Sequence, residues 1–152
     1  MLEKRRIMLI IRRMKLQDCE QVAIIEEESF SMPWSLQAFQ DTIEMKNYRY
    51  FVAEQNGEIL GYCGFIFVLD EAEIPNVCVK VSARKQGIGK QMLTVLEEEA
   101  KGLGIKNLYL EVRESNQSAR KLYTSFGFEE DGIRRDFYEL PKENAVLMHK
   151  SI

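Results

Sequence analysis

The sequence is poor in the features that would place it quickly. Three of its 152 residues are cysteines, Cys19, Cys63 and Cys78, and no two form a CxxC pair. An odd, scattered set among apolar neighbours argues for reduced core thiols and against a disulfide framework. His149 is the single histidine, so the ligand spacing of a structural zinc is missing and no metal is expected. A basic excess is also missing. Lys and Arg number 21 against 24 Asp and Glu, a net charge of -3, which excludes a general nucleic-acid binder and leaves Arg134-Arg135 as a local basic spot. No apolar run approaches the ~20 residues of a membrane-spanning helix. The opening "MLEKRRIMLIIRRMK" superficially resembles a signal peptide, but its apolar run, Ile7 to Ile11, is too short and two arginines follow at once. It is read as a first strand. Repeats, linkers and low-complexity segments are absent too.

What is present is ordinary for a globular chain: 45% hydrophobic and 30% charged residues, in a length that buries about two-thirds of its unfolded surface. One domain over residues 1–152, monomeric or weakly dimeric and cytoplasmic, is the expectation. Asp18 with Gln21 three residues on resembles a capping box opening a helix. Val22, Ile25 and Phe30 supply its apolar side, and Glu26 to Glu28 are expected on a solvated one. Pro33 in "SMPWS" interrupts the chain, and Ser35 caps a second helix with Leu36, Phe39 and Ile43 on one face. Asn56-Gly57 between "YRYFVAEQ" and "EILGYCGFIFVL" predicts a hairpin with a type I′ turn. "DEAE" reads as an acidic turn into the β-rich run "IPNVCVKV". A helix follows from Gly87 to Gly104, with Ile88, Met92, Val95, Leu96 and Leu103 at helical spacing. Then come the strand "NLYLEV", a capped helix in "SNQSARKLYTSFGF" and a final hairpin. A meander followed by strand–helix–strand units predicts an α+β (mixed α/β) fold with a central, mixed, partly parallel sheet flanked by helices.

The stretch "SARKQGIGKQM" carries the chemistry. A dinucleotide fingerprint fails because Met92 stands at its third glycine, and a P-loop fails at Arg84 and Gln91. What remains is R-x-x-G-x-G, with Arg84, Gly87 and Gly89, between a strand and a long helix. Glycines let backbone approach an anion, and the successive amides of Gln86 to Lys90 with a helix N-terminus supply donors and a favourable dipole. Lys85 and Lys90 add charge. A plain strand-to-helix turn with solvated lysines is the alternative.

With its flanks, this segment resembles the acetyl-CoA pyrophosphate loop of the GNAT acetyltransferase superfamily. "NVCVKVSARKQGIGKQML" is similar to that superfamily's strand, loop and helix, and "LYLEVRESNQSARKLYTSFGF" to its next strand and helix. "MPWS" and "IRRDFY…ENAVLM" narrow the likeness to the RimI-type Nα-acetyltransferases, from about Ile10 to Met148. The resemblance implies a GNAT-like fold and transfer of an acetyl group from acetyl-CoA to a protein N-terminal amine, that of an alanine on a small-subunit ribosomal protein. It implies Glu111 as general base and Tyr123 as the proton donor to the thiolate leaving group. It also implies Val77, Cys78 and Val79 along the pantetheine arm. Lys85, Gln86, Gly87, Ile88, Gly89 and Lys90 would lie at the pyrophosphate, with Asn116 as a further cofactor contact and Pro33, Trp34 and Tyr138 beside the acceptor. No direct nucleic-acid or membrane partner is implied. Where many relatives carry an acidic residue and proline, this chain has Lys80-Val81.

Each residue also has a plainer reading. An alternating strand always has outward positions, such as that of Glu111. Tyr123 with Leu122 and Phe126 fits a helical core stripe, Asn116 fits a helix cap, and Trp34 and Tyr138 fit surface packing. Cys78 lacks neighbours that would activate a thiolate. A small-amine acceptor such as a polyamine or aminoglycoside is the runner-up activity, and a non-catalytic CoA-binding module stands beside both.

Overall fold

A computed structural model describes residues 8–152. Ile7 of the expected first strand lies outside the described residues, and the strand itself forms at Ile10–Arg13 (β1). Helices α1 (Cys19–Ser29) and α2 (Leu36–Ile43) follow, then strands β2 (Tyr48–Gln55), β3 (Glu58–Val68) and β4 (Glu71–Val79). Helix α3 (Ile88–Gly102), β5 (Asn107–Arg113), α4 (Gln117–Ser125), β6 (Glu129–Glu139) and β7 (Lys142–Ser151) complete the chain. The strands form one seven-stranded sheet in the order β1-β2-β3-β4-β5-β7-β6. Only β4 and β5 pair in parallel, and the other neighbours are antiparallel. This is the expected mixed sheet, with α3 as the crossover between its parallel strands.

Strand alternation divides the core into two layers. Phe51, Ala53, Cys63, Phe65, Leu108, Leu110 and Val112 pack with Met92, Leu93 and Leu96 of α3 and Tyr123 of α4. Tyr50, Val52, Ile59 and Tyr62 point to the opposite face, where Val22 and Ile25 of α1 and Phe39 of α2 cover them. Several local signals act as the sequence indicates. Asn56 and Gly57 take positive φ (54° and 79°), as a type I′ turn requires. Ser35 Oγ accepts from the Ala38 amide at 3.1 Å and Asn116 Oδ1 from the Ala119 amide at 3.2 Å, each capping its helix.

Other expectations are overturned. Asp18 does not form a capping box with Gln21. Its carboxylate accepts from the Arg12 guanidinium at 2.7 and 2.9 Å and from the Lys15 amide at 2.7 Å, while Gln21 Oε1 accepts from the Ile59 amide at 3.0 Å. A cation on β1, six residues back, outcompetes the local helix amides for that carboxylate. "DEAE" is not a turn either: β4 starts at Glu71, and the reversal is confined to Leu69-Asp70, with Leu69 at φ 56°. Glu27 and Glu28 are exposed, but Glu26 is buried. Acidic residues of α3 are paired as well, Glu97 with Lys150 at 2.8 Å and Glu99 with Arg49 at 3.5 Å.

Gly64 lies opposite Tyr50 in the β2–β3 register, and a Cβ there would meet the Tyr50 ring at 2.5 Å. Tyr50 is buried and rigid, so it has no room to yield. Gly64→Ala is expected to destabilise the fold by roughly 1–3 kcal/mol through overpacking. Urea denaturation of both proteins checks it, and equal midpoints would refute the packing argument.

Candidate active site

The parallel strands pair only at Glu71–Glu73 with Asn107–Tyr109, although β4 continues to Val79 and β5 to Arg113. Beyond that point they part. The β3–β4 register slips between Gly64 and Ile66, and Pro75, which has no amide hydrogen, stands in the bulged segment. The Lys80 amide donates to Leu60 on the β3 side at 2.7 Å. Strand alternation therefore turns the backbone groups of Val77 and Val79 toward the gap. One is already used, because Arg84 Nε donates to the Val79 carbonyl at 3.0 Å. The rest form an open edge that an extended polar chain can pair with.

The glycine loop closes the mouth of this gap. After a 3₁₀ turn at Val81–Ala83, Lys85 and Gly87 both take positive φ (64° and 78°). This turn makes the bend at Lys80-Val81, where many relatives carry an acidic residue and proline. The first helical hydrogen bond runs from the Gln91 amide to the Gly87 carbonyl at 3.1 Å. The amides of Ile88, Gly89 and Lys90 precede it and lack a helical acceptor, and Gly87 provides no side-chain cap. Lys85, Gln86 and Lys90 are exposed around them. Orphan amides, a 15-residue helix and two lysines make a fitting cradle for a phosphate. The two glycines differ in what they permit. Space is open beside Gly87, but a Cβ on Gly89 would touch Leu122 of α4 at 3.0 Å. Gly89 therefore also has a packing role.

On β5, Leu108, Leu110 and Val112 face the α3 layer, so Tyr109, Glu111 and Arg113 face the other way. Helices α1 and α2 do not extend over this part of the sheet. The result is a groove of about 450 Å³ lined by Glu71, Glu73, Tyr109, Glu111, Asp131 and Leu147, among others. Glu111 is half-buried in it. Burial raises its pKa above the ordinary glutamate value, the neighbouring Glu73 charge raises it further, and Arg134 acts in the opposite direction. The Arg134 guanidinium reaches Glu111 Oε1 at 3.4 Å.

Tyr138 is half-buried beside the same groove, and burial, then the Glu111 charge, push its pKa up to about 12. The Arg113 guanidinium lies 4.3 Å from its ring centroid. The same guanidinium donates to the carbonyls of Leu140 at 3.0 Å and Pro141 at 2.9 Å, to Glu143 Oε2 at 3.2 Å and to Ser31 Oγ at 3.5 Å. Ser31 Oγ in turn donates to the Leu140 carbonyl. Arg113 thus latches the α1–α2 loop to the β6–β7 turn, directly beside Glu111.

The remaining candidates are more dispersed. Tyr123 is buried in the α3–α4 layer, edge-on to Phe128 at 5.8 Å between ring centroids. Burial, then Cys63, Tyr138 and Cys78, hold its phenol well above the ordinary tyrosine range. Pro33 is exposed, whereas the Trp34 ring packs inward on Phe39 and Tyr50 at 5.4 and 6.2 Å. Cys78 is buried, and burial raises its thiol pKa, so it is no activated nucleophile. Sequence reasoning missed Glu26, Glu73 and Arg113. Strand alternation from Glu111 points to Arg113 and helical spacing from Val22 to Glu26, but Glu73 was hidden by the reading of its strand as a turn.

The sequence profile of the Acetyltransferase (GNAT) family matches residues 19–128. The chain is 36% identical over 126 residues to the [ribosomal protein bS18]-alanine N-acetyltransferase of Escherichia coli K12, covering 82% of this chain and 84% of that protein. It is 36% identical over 144 residues to the enzyme of that name from Haemophilus influenzae, covering 93% and 97%. The crystal structure of the ribosomal-protein-S18-alanine N-acetyltransferase from Escherichia coli superposes with a TM-score of 0.87 at 34% identity, over 95% of this chain and 94% of that one.

The opposed charges on Glu111 give a prediction that needs no substrate. Arg134→Gln should move the Glu111 titration midpoint up and Glu73→Gln should move it down, because a cation favours the carboxylate and an anion disfavours it. Carboxyl-carbon NMR against pH reads both. Shifts of the same sign would contradict this account of the site.

Proposed function

The chain belongs to the acetyltransferase (GNAT) family, and from that membership we propose that it acetylates the α-amino group of a protein N-terminus. The acceptor is an alanine-initiated ribosomal protein, the substrate named for its 36% identical relatives. The observation that carries this reading is Glu111, a half-buried carboxylate with a raised pKa, standing beside parted strands and between two latched loops.

The donor is acetyl-CoA. The amides of Gln86 to Lys90 with Lys85 and Lys90 hold its pyrophosphate, the open backbone edge of Val77 to Val79 holds the pantetheine arm, and Asn116 contributes at the start of α4. Bound there, it supplies an acetyl thioester. An α-amino group has a pKa near ~8 and arrives largely protonated at neutral pH. Glu111 takes that proton, and its raised pKa brings it closer to the amine it must relieve. Tyr123, kept protonated by burial, holds the proton that the leaving thiolate requires. Tyr138, Pro33 and Trp34 flank the entering peptide. With the Cys78 thiol held neutral by burial, the amine attacks directly and no acyl-cysteine is needed. An acceptor of this kind places the reaction in the cytoplasm.

A second reading has an observation behind it. Four acidic residues, Glu71, Glu73, Glu111 and Asp131, line one groove. A cationic small amine suits such walls, and so does a basic segment following an acceptor alanine. CoA release from a panel of short peptides differing at residue one, beside spermine and an aminoglycoside, separates the two. An alanine-initiated peptide should be fastest, with the acetyl group located on its α-nitrogen by mass spectrometry. Faster turnover of spermine, or acetylation of lysine side chains alone, would overturn the proposal.

Two variants test the residue roles. Glu111→Gln keeps the shape and removes the basicity, so turnover should fall by about 100-fold or more while acetyl-CoA still binds. A fall of less than about threefold would move the base elsewhere. Gly87 has φ 78° and open space around it, so Gly87→Val strains the loop without a core clash. It should raise the acetyl-CoA dissociation constant at least tenfold, about 1.4 kcal/mol. Calorimetry showing an unchanged constant would remove the loop from the binding site.

A further inference from the structure

Glu26 is the one acidic residue buried in the α1–α2 layer without a cation beside it among the described residues. Both of its oxygens are occupied, and every partner is a donor. Oε1 accepts from the Tyr62 hydroxyl at 2.5 Å and from Asn76 Nδ2 at 3.1 Å. Oε2 accepts from the backbone amide of Trp34 at 2.9 Å. The Tyr50 hydroxyl donates to Asn76 Oδ1 at 2.8 Å, which turns the Asn76 amide so that its nitrogen faces Glu26. Burial holds the Tyr62 phenol far above the ordinary tyrosine range, so it remains a donor. Three donors converging on two oxygens call for a side chain with an acceptor oxygen at both ends, which a glutamate has and an amide does not.

The three donors lie on three separate elements. Tyr62 is on β3, and Asn76 is on β4 where that strand leaves β5. Trp34 belongs to the loop between α1 and α2, whose other end is latched by Ser31 to the β6–β7 turn. One oxygen grips the sheet and the other grips the loop.

We infer that Glu26 is a positioning residue for the acceptor: it fixes the Pro33-Trp34 segment to the sheet so that this wall of the acceptor site is formed before the peptide arrives. The inference rests on the proposed role of that loop in acceptor binding. A preformed wall lowers the ordering cost of binding, so its loss appears in the peptide KM. Acetyl-CoA is spared, because β3 holds the gap-lining part of β4 through Cys63–Val77 and Tyr62–Cys78.

Glu26→Leu fills the same space and removes both acceptors. Its peptide KM is expected to rise about tenfold or more, with kcat and the acetyl-CoA KM within about twofold of the unaltered protein. Glu26→Gln, with one acceptor oxygen for three donors, should fall between. A residue that merely stabilised the fold would lower the melting temperature and leave the peptide KM of the folded fraction unchanged, and that result overturns the inference. Trp34 is the only tryptophan in the chain, so its fluorescence reads the loop without any substrate. Release of the loop should red-shift the emission and increase acrylamide quenching in Glu26→Leu. If the unaltered protein acetylates no peptide, the acceptor reading fails by itself. The fluorescence arm then still decides the anchor, upheld by a change and overturned by its absence.

Discussion

The site depends on a parallel strand pair that is allowed to pair for only three residues. Parallel strands have no hairpin to enforce their register; the chain between β4 and β5 is the long α3 crossover. After Glu73 and Tyr109 the two strands are free to diverge, and a bulge containing Pro75 lets β4 do so. The sheet survives the parting because each strand is held on its outer side. β3 pairs with β4 as far as Val79, and β7 pairs with β5 from Asn107 to Arg113. What opens is a gap with backbone groups along its wall. In water those groups are hydrated; with an extended ligand they become a strand edge awaiting a partner. Because β4 runs straight into the glycine loop, the same strand that opens the gap also carries the α3 N-terminus to its mouth.

Much of this was legible in the sequence because local chemistry determined it. Asn56-Gly57, Ser35 and Asn116 act within a few residues of themselves and do what their residue types favour, and the glycines of R-x-x-G-x-G shape the turn into α3. The errors came where distant partners overrode local preference. Asp18 had good reason to cap a helix, but Arg12 reached it from β1. Glu26 looked like one of three equivalent solvated glutamates. Its spacing from Val22, four residues back, nevertheless puts it on the buried stripe, and a stricter helical count would have separated it from Glu27 and Glu28. Glu73 was lost because "DEAE", three acidic residues around an alanine, was read as a turn, when alternation continues through Ala72 into β4. The parting of β4 from β5 had no local signal beyond a proline, since nothing in either strand states where its partner stops.

The α1–α2 layer shows how a small core is made specific by polar atoms. Trp34, Phe39, Tyr50 and Tyr62 pack ring to ring, with centroids 5.4 to 6.4 Å apart. Apolar rings alone would tolerate several arrangements of similar energy. Two of these rings carry hydroxyls that end in the Glu26–Asn76 network, and only one arrangement satisfies both hydroxyls, the amide and the carboxylate together. A buried carboxylate is costly unless its hydrogen bonds are complete. Here they are completed by groups from β3, β4 and the α1–α2 loop, so the cost of burying this side chain is tied to the correct placement of all three.

The same economy governs Glu111, with the balance set differently. Glu26 is surrounded by donors that occupy both of its oxygens. Glu111 faces a groove where burial and Glu73 disfavour ionisation and only Arg134 supports it. Arg134 is largely exposed, with 59% of its side chain accessible, so salt weakens its influence more readily than it weakens the desolvation of a half-buried carboxylate. Glutamates on α1 and β5 are thereby given different tasks by their surroundings: one fixes a loop through the hydrogen bonds it accepts, the other has its proton affinity raised by burial and Glu73. On the proposed reading the acceptor amine enters between them, against a wall whose position Glu26 sets and toward a base whose proton affinity Glu73 and Arg134 set in opposition.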